Sequence, residues 1–423
     1  MKRIKLMIVG LVLLLPVIAI AGKILIPMDV AQTDHLKAYG VAYWCLKYGT
    51  NVEWLLNYRG GSFLTDDLSQ IAEVCRLKGV SFEQISGPRE AEIKKIIEDN
   101  NMESVLLEKA PKIAIYAPPM RKNEPWDDAV NLALDYAEIP FETVWDHDVL
   151  AGKLADYDWL HLHHEDFTGQ YGKFFAAYRN ALWYKQDKEF NEKTARELGF
   201  SKVSRLKLAV SQTIEQYVKN GGFLFAMCSA SDTYDISLAA WATDIVPAES
   251  DGDAADPDCN QRLDFTRSMA FENFEVITNP SIYEHSNIDT SPNRGIAGMT
   301  PQSDYFTLFD FSAKWDPVPT MLIQDHTDIV DGFWGQCTGF NKNVIKKHVT
   351  ILAETEGKNE AKYIHGNYGD GTFTFFGGHD PEDYQHMIGD PPTDLNLHKH
   401  SPGYRLILNN VLFPAAKKKE RKT

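Results

Sequence analysis

The sequence predicts an α/β protein, a doubly wound parallel sheet with a small N-terminal α/β domain ahead of it and a long irregular insertion within it. Three observations carry this. Short apolar runs read as buried strands at 112–117 (KIAIYA), at 141–145, within 156–166 (DWLHLHH) and at 223–227 (FLFAM), and helical patterns separate them. The chain has 423 residues, 44% hydrophobic and 12% aromatic, enough to fill a large core. Between about 241 and 334 the alternation lapses into a stretch rich in Asp, Pro, Ser and aromatics, and afterwards it returns.

Taken in order, the chain opens with a targeting pattern. Lys2, Arg3 and Lys5 precede an apolar run from Leu6 to Ile18, and Ala19-Ile20-Ala21 forms a small-x-small cleavage site before Gly22. Residues 1–21 therefore read as a signal peptide and the mature chain as exported, periplasmic or in the cell envelope. No cysteine follows the cleavage site, which argues against a lipoprotein. Left uncleaved, the segment would serve as an N-terminal anchor, the one route by which a membrane becomes a partner.

Residues 31–110 read as the small α/β domain. A helix is expected over 35–48, with Leu36, Tyr39, Tyr43 and Leu46 near one face, then a strand over 52–57 and a turn at Arg59-Gly60-Gly61-Ser62. That turn is either a tight reversal or a set of donors for an anion. A helix opened by Asp66 and Asp67 runs to Leu77, a strand covers 80–85, and Pro88 starts a polar helix towards Asn100.

The larger domain is expected over 111–415. Helices are predicted at 126–137 and 205–219, and Gly221-Gly222 ends the second just before the strand FLFAM. In the insertion, 241–334, Asp251, Asp253, Asp256 and Asp258 lack the closing Glu of a twelve-residue calcium loop, so an acidic surface loop is expected. Strands return at 349–354 and 361–365. A turn at Tyr368-Gly369-Asp370-Gly371 joins the latter to 372–376 as a hairpin, and a helix over 404–412 closes the fold. The last residues, 416–423, form a basic, solvated tail.

Net charge is −16, from 59 acidic against 43 basic residues, which argues against nucleic acid as a partner. The cysteine count is five. In an oxidising compartment that allows two disulfides and one thiol. Cys45 with Cys75 and Cys259 with Cys337 are the pairs that sequence neighbourhood favours, other connectivities remaining open, and Cys228 is then the free thiol.

Three polar clusters fall at strand ends. Cys228 sits where a buried strand hands over to a helix, a position at which a helix N-terminus favours a thiolate; the alternative is a small buried apolar side chain. His161 and His163 alternate with Leu160 and Leu162, so both imidazoles project from one face. With Glu165, Asp166 or His379 they are candidates for a metal, but the spacing matches no metal motif. A polar rim is the plainer reading, and no metal or cofactor is assigned. The third cluster, His379 to Asp383, supplies an imidazole to take a proton from Cys228, with Asp380 or Glu382 to orient it. Backbone N–H groups at Cys228 and Ser229 would face an oxyanion. His161, His163, His164, Glu165 and Ser229 are then the substrate-binding candidates.

From Lys112 to about Leu412, the cysteine at a strand-to-helix turn and the late Gly378-His379, followed by Pro381 and Glu382, resemble the class I glutamine amidotransferase-like superfamily. The stretch Tyr368-Gly369-Asp370-Gly371 through Phe376 to Gly378-His379 is similar to its ThuA-like branch. The resemblance implies a flavodoxin-like sheet, Cys228 in the nucleophile position and His379 in the histidine position. The chain departs from the pattern in placing Ala226 and Ala230 where the cysteine's glycines would stand, and in reading His-Asp-Pro-Glu. It carries no synthetase module. The expected function is an exported cysteine hydrolase acting on an amide or related acyl bond of a small molecule or peptide. The alternative is a non-catalytic binding protein of the same fold holding a carbohydrate or peptide, with Trp241, Trp315 and Trp334 for stacking.

Overall fold

The computed structural model describes residues 22–119, 128–291, 305–316, 327–331, 333, 335–379, 381–382 and 391–416. The expected signal peptide, Trp334, Asp380 and nearly all of the basic tail lie outside them. The first sheet is built from β1 (Lys23–Ile26), β2 (Val52–Leu56), β3 (Ser62–Asp66), β4 (Glu83–Ile85) and β5 (Glu103–Leu107), with helices α1 (His35–Lys47), α2 (Ser69–Lys78) and α3 (Gly87–Asp99) between them. The strand order is β4-β1-β3-β2-β5 and every neighbouring pair is antiparallel. This βαββαβαβ path puts β1, which lies ahead of residue 31, next to the centre of the sheet.

Local chemistry sets the boundaries. Asp34 caps α1 by accepting from the Lys37 N–H at 2.9 Å. Gly79, at φ 69°, ends α2, and Pro88 occupies the first turn of α3. The Arg59-Gly60-Gly61 turn is a tight reversal whose arginine is committed to Asp29 and Glu83, each at 2.6 Å.

The second sheet begins with β6 (Ile113–Tyr116), α4 (Ala129–Ala137), β7 (Glu142–Val144), α5 (Asp146–Leu150) and β8 (Trp159–Leu162). It continues through α6 (Phe175–Tyr178), α7 (Leu182–Glu197), α8 (Val203–Lys219), β9 (Phe223–Met227), α9 (Cys228–Ala239) and α10 (Ala248–Asp251). Then come β10 (Tyr305–Leu308), β11 (Ile329–Asp331), β12 (Phe340–Asn341), β13 (Thr350–Glu354), β14 (Glu360–Tyr368), β15 (Gly371–Phe376) and α11 (Pro402–Leu412). The strand order is β11-β10-β13-β14-β15-β9-β8-β6-β7, with β12 beside β14.

Only the run β15-β9-β8-β6-β7 is parallel. The β14–β15 hairpin reverses direction, and the strands beyond it pair antiparallel. The sheet is therefore mixed, not parallel throughout. The 241–334 stretch is correspondingly not all irregular, since it supplies β10 and β11 at the far edge. These are strands of four and three residues with polar positions, too short to show a period in the sequence.

Helices cover both faces of the parallel run. Ile113, Ile115, Trp159, Phe223, Phe225 and Met227 pack into one apolar cluster with α4 and α11. The alternate residues Ala114, Tyr116, Leu160, Leu162, Leu224 and Ala226 pack into another with α8 and α9. The first cluster also contains α1 and the inner face of the N-terminal sheet, so the two sheets share one core.

The expected disulfides are not formed; all five cysteines are buried free thiols. Burial pushes the Cys45 and Cys75 thiols each up to about 12, and Cys75 adds to the rise at Cys45. The acidic loop is neutralised internally. Lys202 Nζ lies 2.8, 3.0 and 2.5 Å from Asp244, Asp251 and Asp253, so an ammonium fills the position a calcium ion would take. Arg262 holds Asp256 at 2.7 Å.

Candidate active site

Strand register brings the sequence clusters together. Leu162 on β8 lies opposite Ala226 on β9, and Phe376 on β15 opposite Met227. Past these pairs the three parallel strands release His163-His164-Glu165, Cys228-Ser229 and Gly377-Gly378-His379 at one carboxyl edge. In open α/β sheets this is the edge where ligands bind.

Cys228 is the first residue of α9 and has φ 51°, the left-handed region that side chains rarely adopt. That sharp strand-to-helix turn keeps the sulfur at the edge. The thiol has no solvent exposure, yet its surroundings are polar: Sγ accepts from the Gln336 N–H at 3.0 Å. Gly335 lies between it and His379. A Cβ built on Gly335 (φ 153°) would lie 2.8 Å from His379 Cδ2 and 2.9 Å from Cys228 Sγ. Sulfur and imidazole thus border one space, and only glycine leaves room between them.

The neighbouring residues brace this edge. Ser229 Oγ donates to the His164 carbonyl at 3.0 Å, and Thr233 Oγ1 to that of Glu165 at 3.1 Å, tying α9 to the end of β8. Glu165 accepts from the His163 N–H at 3.0 Å. The His379 ring sits 4.5 Å from that of His163 and 5.7 Å from that of His164, centroid to centroid. Glu382 is engaged by His398 Nδ1 at 3.3 Å.

The electrostatics sort the carboxyls. Burial, then Asp289 and Cys228, push the carboxyl of Asp232, one turn beyond the cysteine, well above the ordinary range. Burial acts in the same direction on Asp166. There, His285 at 3.6 Å and hydrogen bonds from Thr168 and Gly172 prevail and hold the carboxyl far below its usual value.

Sequence reasoning missed several residues of this edge. Gly335 and Gln336 follow directly on the 241–334 insertion and belong to no motif. Lys362, buried on β14, points its ammonium at the carbonyls of Phe333, Thr338 and Gly377, pinning the segments on either side of the cysteine. Asp128 caps α4, accepting from Val130 and Asn131 N–H at 2.8 and 3.2 Å, and its capping position ahead of an apolar helical run was the available signal. Its Oδ1 lies 3.5 Å from both His161 Nε2 and His163 Nδ1.

Fold and site together define a mixed α/β protein with a buried thiol and a histidine cluster at the carboxyl edge of its parallel strands. No protein-family model and no curated protein matches the chain. Among solved structures, a cytoplasmic protein from Salmonella typhimurium is 10% identical at a TM-score of 0.35, covering 73% of this chain and 100% of its own. A second, from Salmonella typhimurium LT2, is 12% identical at a TM-score of 0.35 over 72% and 100%. A beta-galactosidase from Bacillus circulans sp. alkalophilus is 10% identical at a TM-score of 0.26 over 70% of this chain and 32% of that one.

Proposed function

We propose that the protein is an exported cysteine hydrolase, similar to the class I glutamine amidotransferase-like superfamily and its ThuA-like branch, acting on an amide or related acyl bond. The observation that carries this is the pairing of a left-handed cysteine at a strand-to-helix turn with an imidazole bordering the same space. A flavodoxin-like, doubly wound reading of the parallel run is supported by its order. In chain order its strands stand second, first, third, fourth, fifth across the sheet.

In the reaction, His379 takes the Cys228 proton as sulfur attacks the acyl carbon, then returns it to the departing amine as the C–N bond breaks. Water hydrolyses the resulting thioester, releasing the acid and restoring the thiol. The N–H groups at the start of α9 face the oxyanion. His161, His163, His164, Glu165 and Ser229 line or brace the edge where a small-molecule or peptide substrate binds. Because Gln336 covers the sulfur, the segment 335–337 must shift for substrate to enter.

The test is labelling with a cysteine-directed acyl probe. Native protein should label at Cys228, Cys228→Ala should not, and His379→Ala should label about a hundredfold more slowly, the usual contribution of a positioned base. An inert Cys228 in the native fold removes the mechanism. It would turn the reading to a non-catalytic binder of a carbohydrate or peptide, for which Trp241 and Trp315 offer exposed rings.

A further inference from the structure

Beside the thiol, two histidines of the substrate edge meet a carboxylate, Asp128, that the hydrolase reading does not use. Asp128, His161 and His163 are all essentially without solvent contact. His161 Nδ1 lies 3.1 Å from the Phe225 carbonyl. A carbonyl only accepts, so Nδ1 is the donor there, and Nε2 is the ring nitrogen turned to the interior. Nε2 is buried with no hydrogen-bond partner, and it faces the Asp128 carboxylate across 3.5 Å. An imidazole nitrogen and a carboxylate facing one another in the interior need a proton or a metal cation between them.

The spacing fits such a cation. At zinc-type bond lengths of about 2.0–2.1 Å, neighbouring donors of a tetrahedral site stand roughly 3.3–3.4 Å apart. Asp128 Oδ1 is 3.5 Å from His161 Nε2 and 3.5 Å from His163 Nδ1, and the three residues offer ligand atoms that converge within 4.8 Å. Those distances are long for hydrogen bonds and suited to the edges of a coordination polyhedron.

The surrounding structure orients the ligands as metal sites require. The Phe225 carbonyl fixes the His161 tautomer and ring. The α4 N–H groups hold the Asp128 carboxylate in place.

We propose that Asp128, His161 and His163 form a binding site for a divalent late first-row metal ion of the zinc class. Two imidazoles and one carboxylate suit borderline cations, and three protein ligands leave a position for water or a substrate oxygen. The site lies where β6 and β8 are neighbours and the strand order reverses, the crevice in which α/β sheets take ligands. It stands independently of Cys228, and His379 remains available to the thiol.

The experiment uses the full folded protein, stripped with a chelator, dialysed and titrated with Co(II) and then Zn(II). One Co(II) per chain is expected, with the visible absorption of a low-coordinate N/O site, displaced by one Zn(II). Asp128→Asn keeps a competent helix cap and should still fold by circular dichroism. It and His163→Gln should each weaken binding by about a hundredfold, whereas Cys228→Ala should bind as the native chain does. Absence of stoichiometric binding by the native protein, binding undiminished in both ligand variants, or binding abolished by Cys228→Ala would each overturn the site. Failure of the acyl-probe test leaves this result untouched, since the readout here is metal bound.

Discussion

At the scale of single residues, side chains that the packing leaves neutral govern the response to acid. His365 on β14 is fully buried with Nδ1 2.9 Å from Thr374 Oγ1, and burial pulls its imidazole from 6.5 down to about 3. The unfolded chain protonates at the ordinary value and the folded chain only near the lower one. Between them the unfolded state binds the extra proton, and stability falls as pH drops from 6.5 towards 3. One proton corresponds to a slope on the order of 1 kcal/mol per pH unit. His365→Asn should flatten the dependence of the urea midpoint on pH across that window by this amount, and an unchanged slope would show that His365 does not titrate there. Residue chemistry was only partly legible in the sequence. The strand pattern alone placed His161 and His163 on one face and the cysteine at a strand end. Burial of Asp232 and His365, which raises the carboxyl and lowers the imidazole, depends on neighbours far away in the chain.

At the scale of elements, the strands that could be read were the long apolar ones. Phe223–Met227 is a strand with the bounds that FLFAM predicts, because a strand buried on both faces writes itself as a continuous apolar run. The β14–β15 hairpin was equally legible from its glycine turn. Strands β1, β3 and β5 were missed, each of four or five residues; β1 and β5 pair with partners distant in sequence, and β3 forms a short hairpin with β2. The role of β14 as a brace was also invisible, since a lysine within a strand reads as a solvent-facing position. Lys362 instead faces inward, its ammonium shared among the carbonyls of Phe333, Thr338 and Gly377. Lys362→Met should strip those carbonyls of their donor and cost about 2 kcal/mol or more in urea unfolding. It should also slow acyl-probe labelling at Cys228 beyond what the lost stability explains, because Gly377 carries the turn that delivers His379. An unshifted midpoint with unchanged labelling would show that the lysine neither stabilises the edge nor positions it.

At the scale of the whole molecule, composition and alternation pointed to two α/β units, and the contact between them is what the sequence could not show. Helix α1 of the first unit packs on α4 and α11 of the second, and the joint is polar at its centre. Arg405 of α11 is fully buried and reaches into the first unit. Its Nε donates to the Tyr39 hydroxyl at 3.0 Å and its terminal nitrogens to the carbonyls of Met28, at 3.3 Å, and Gly60. Tyr39 in turn donates to Asn409 at 2.6 Å. A guanidinium planted in this way makes the final helix a rivet between the two sheets, set within the apolar cluster that the facing sides of both share. The two should therefore open together. Hydrogen exchange should give the amides of β2 and β9 the same opening free energy, equal to that of global unfolding. Arg405→Met removes the donors and leaves the Met28 and Gly60 carbonyls buried, a loss of about 3 kcal/mol, and it should lower both strands by the same amount. If β2 exchanges at a lower free energy than β9 in the native protein, or if the substitution weakens β2 alone, the sheets are separate folding units and the rivet is only a local contact.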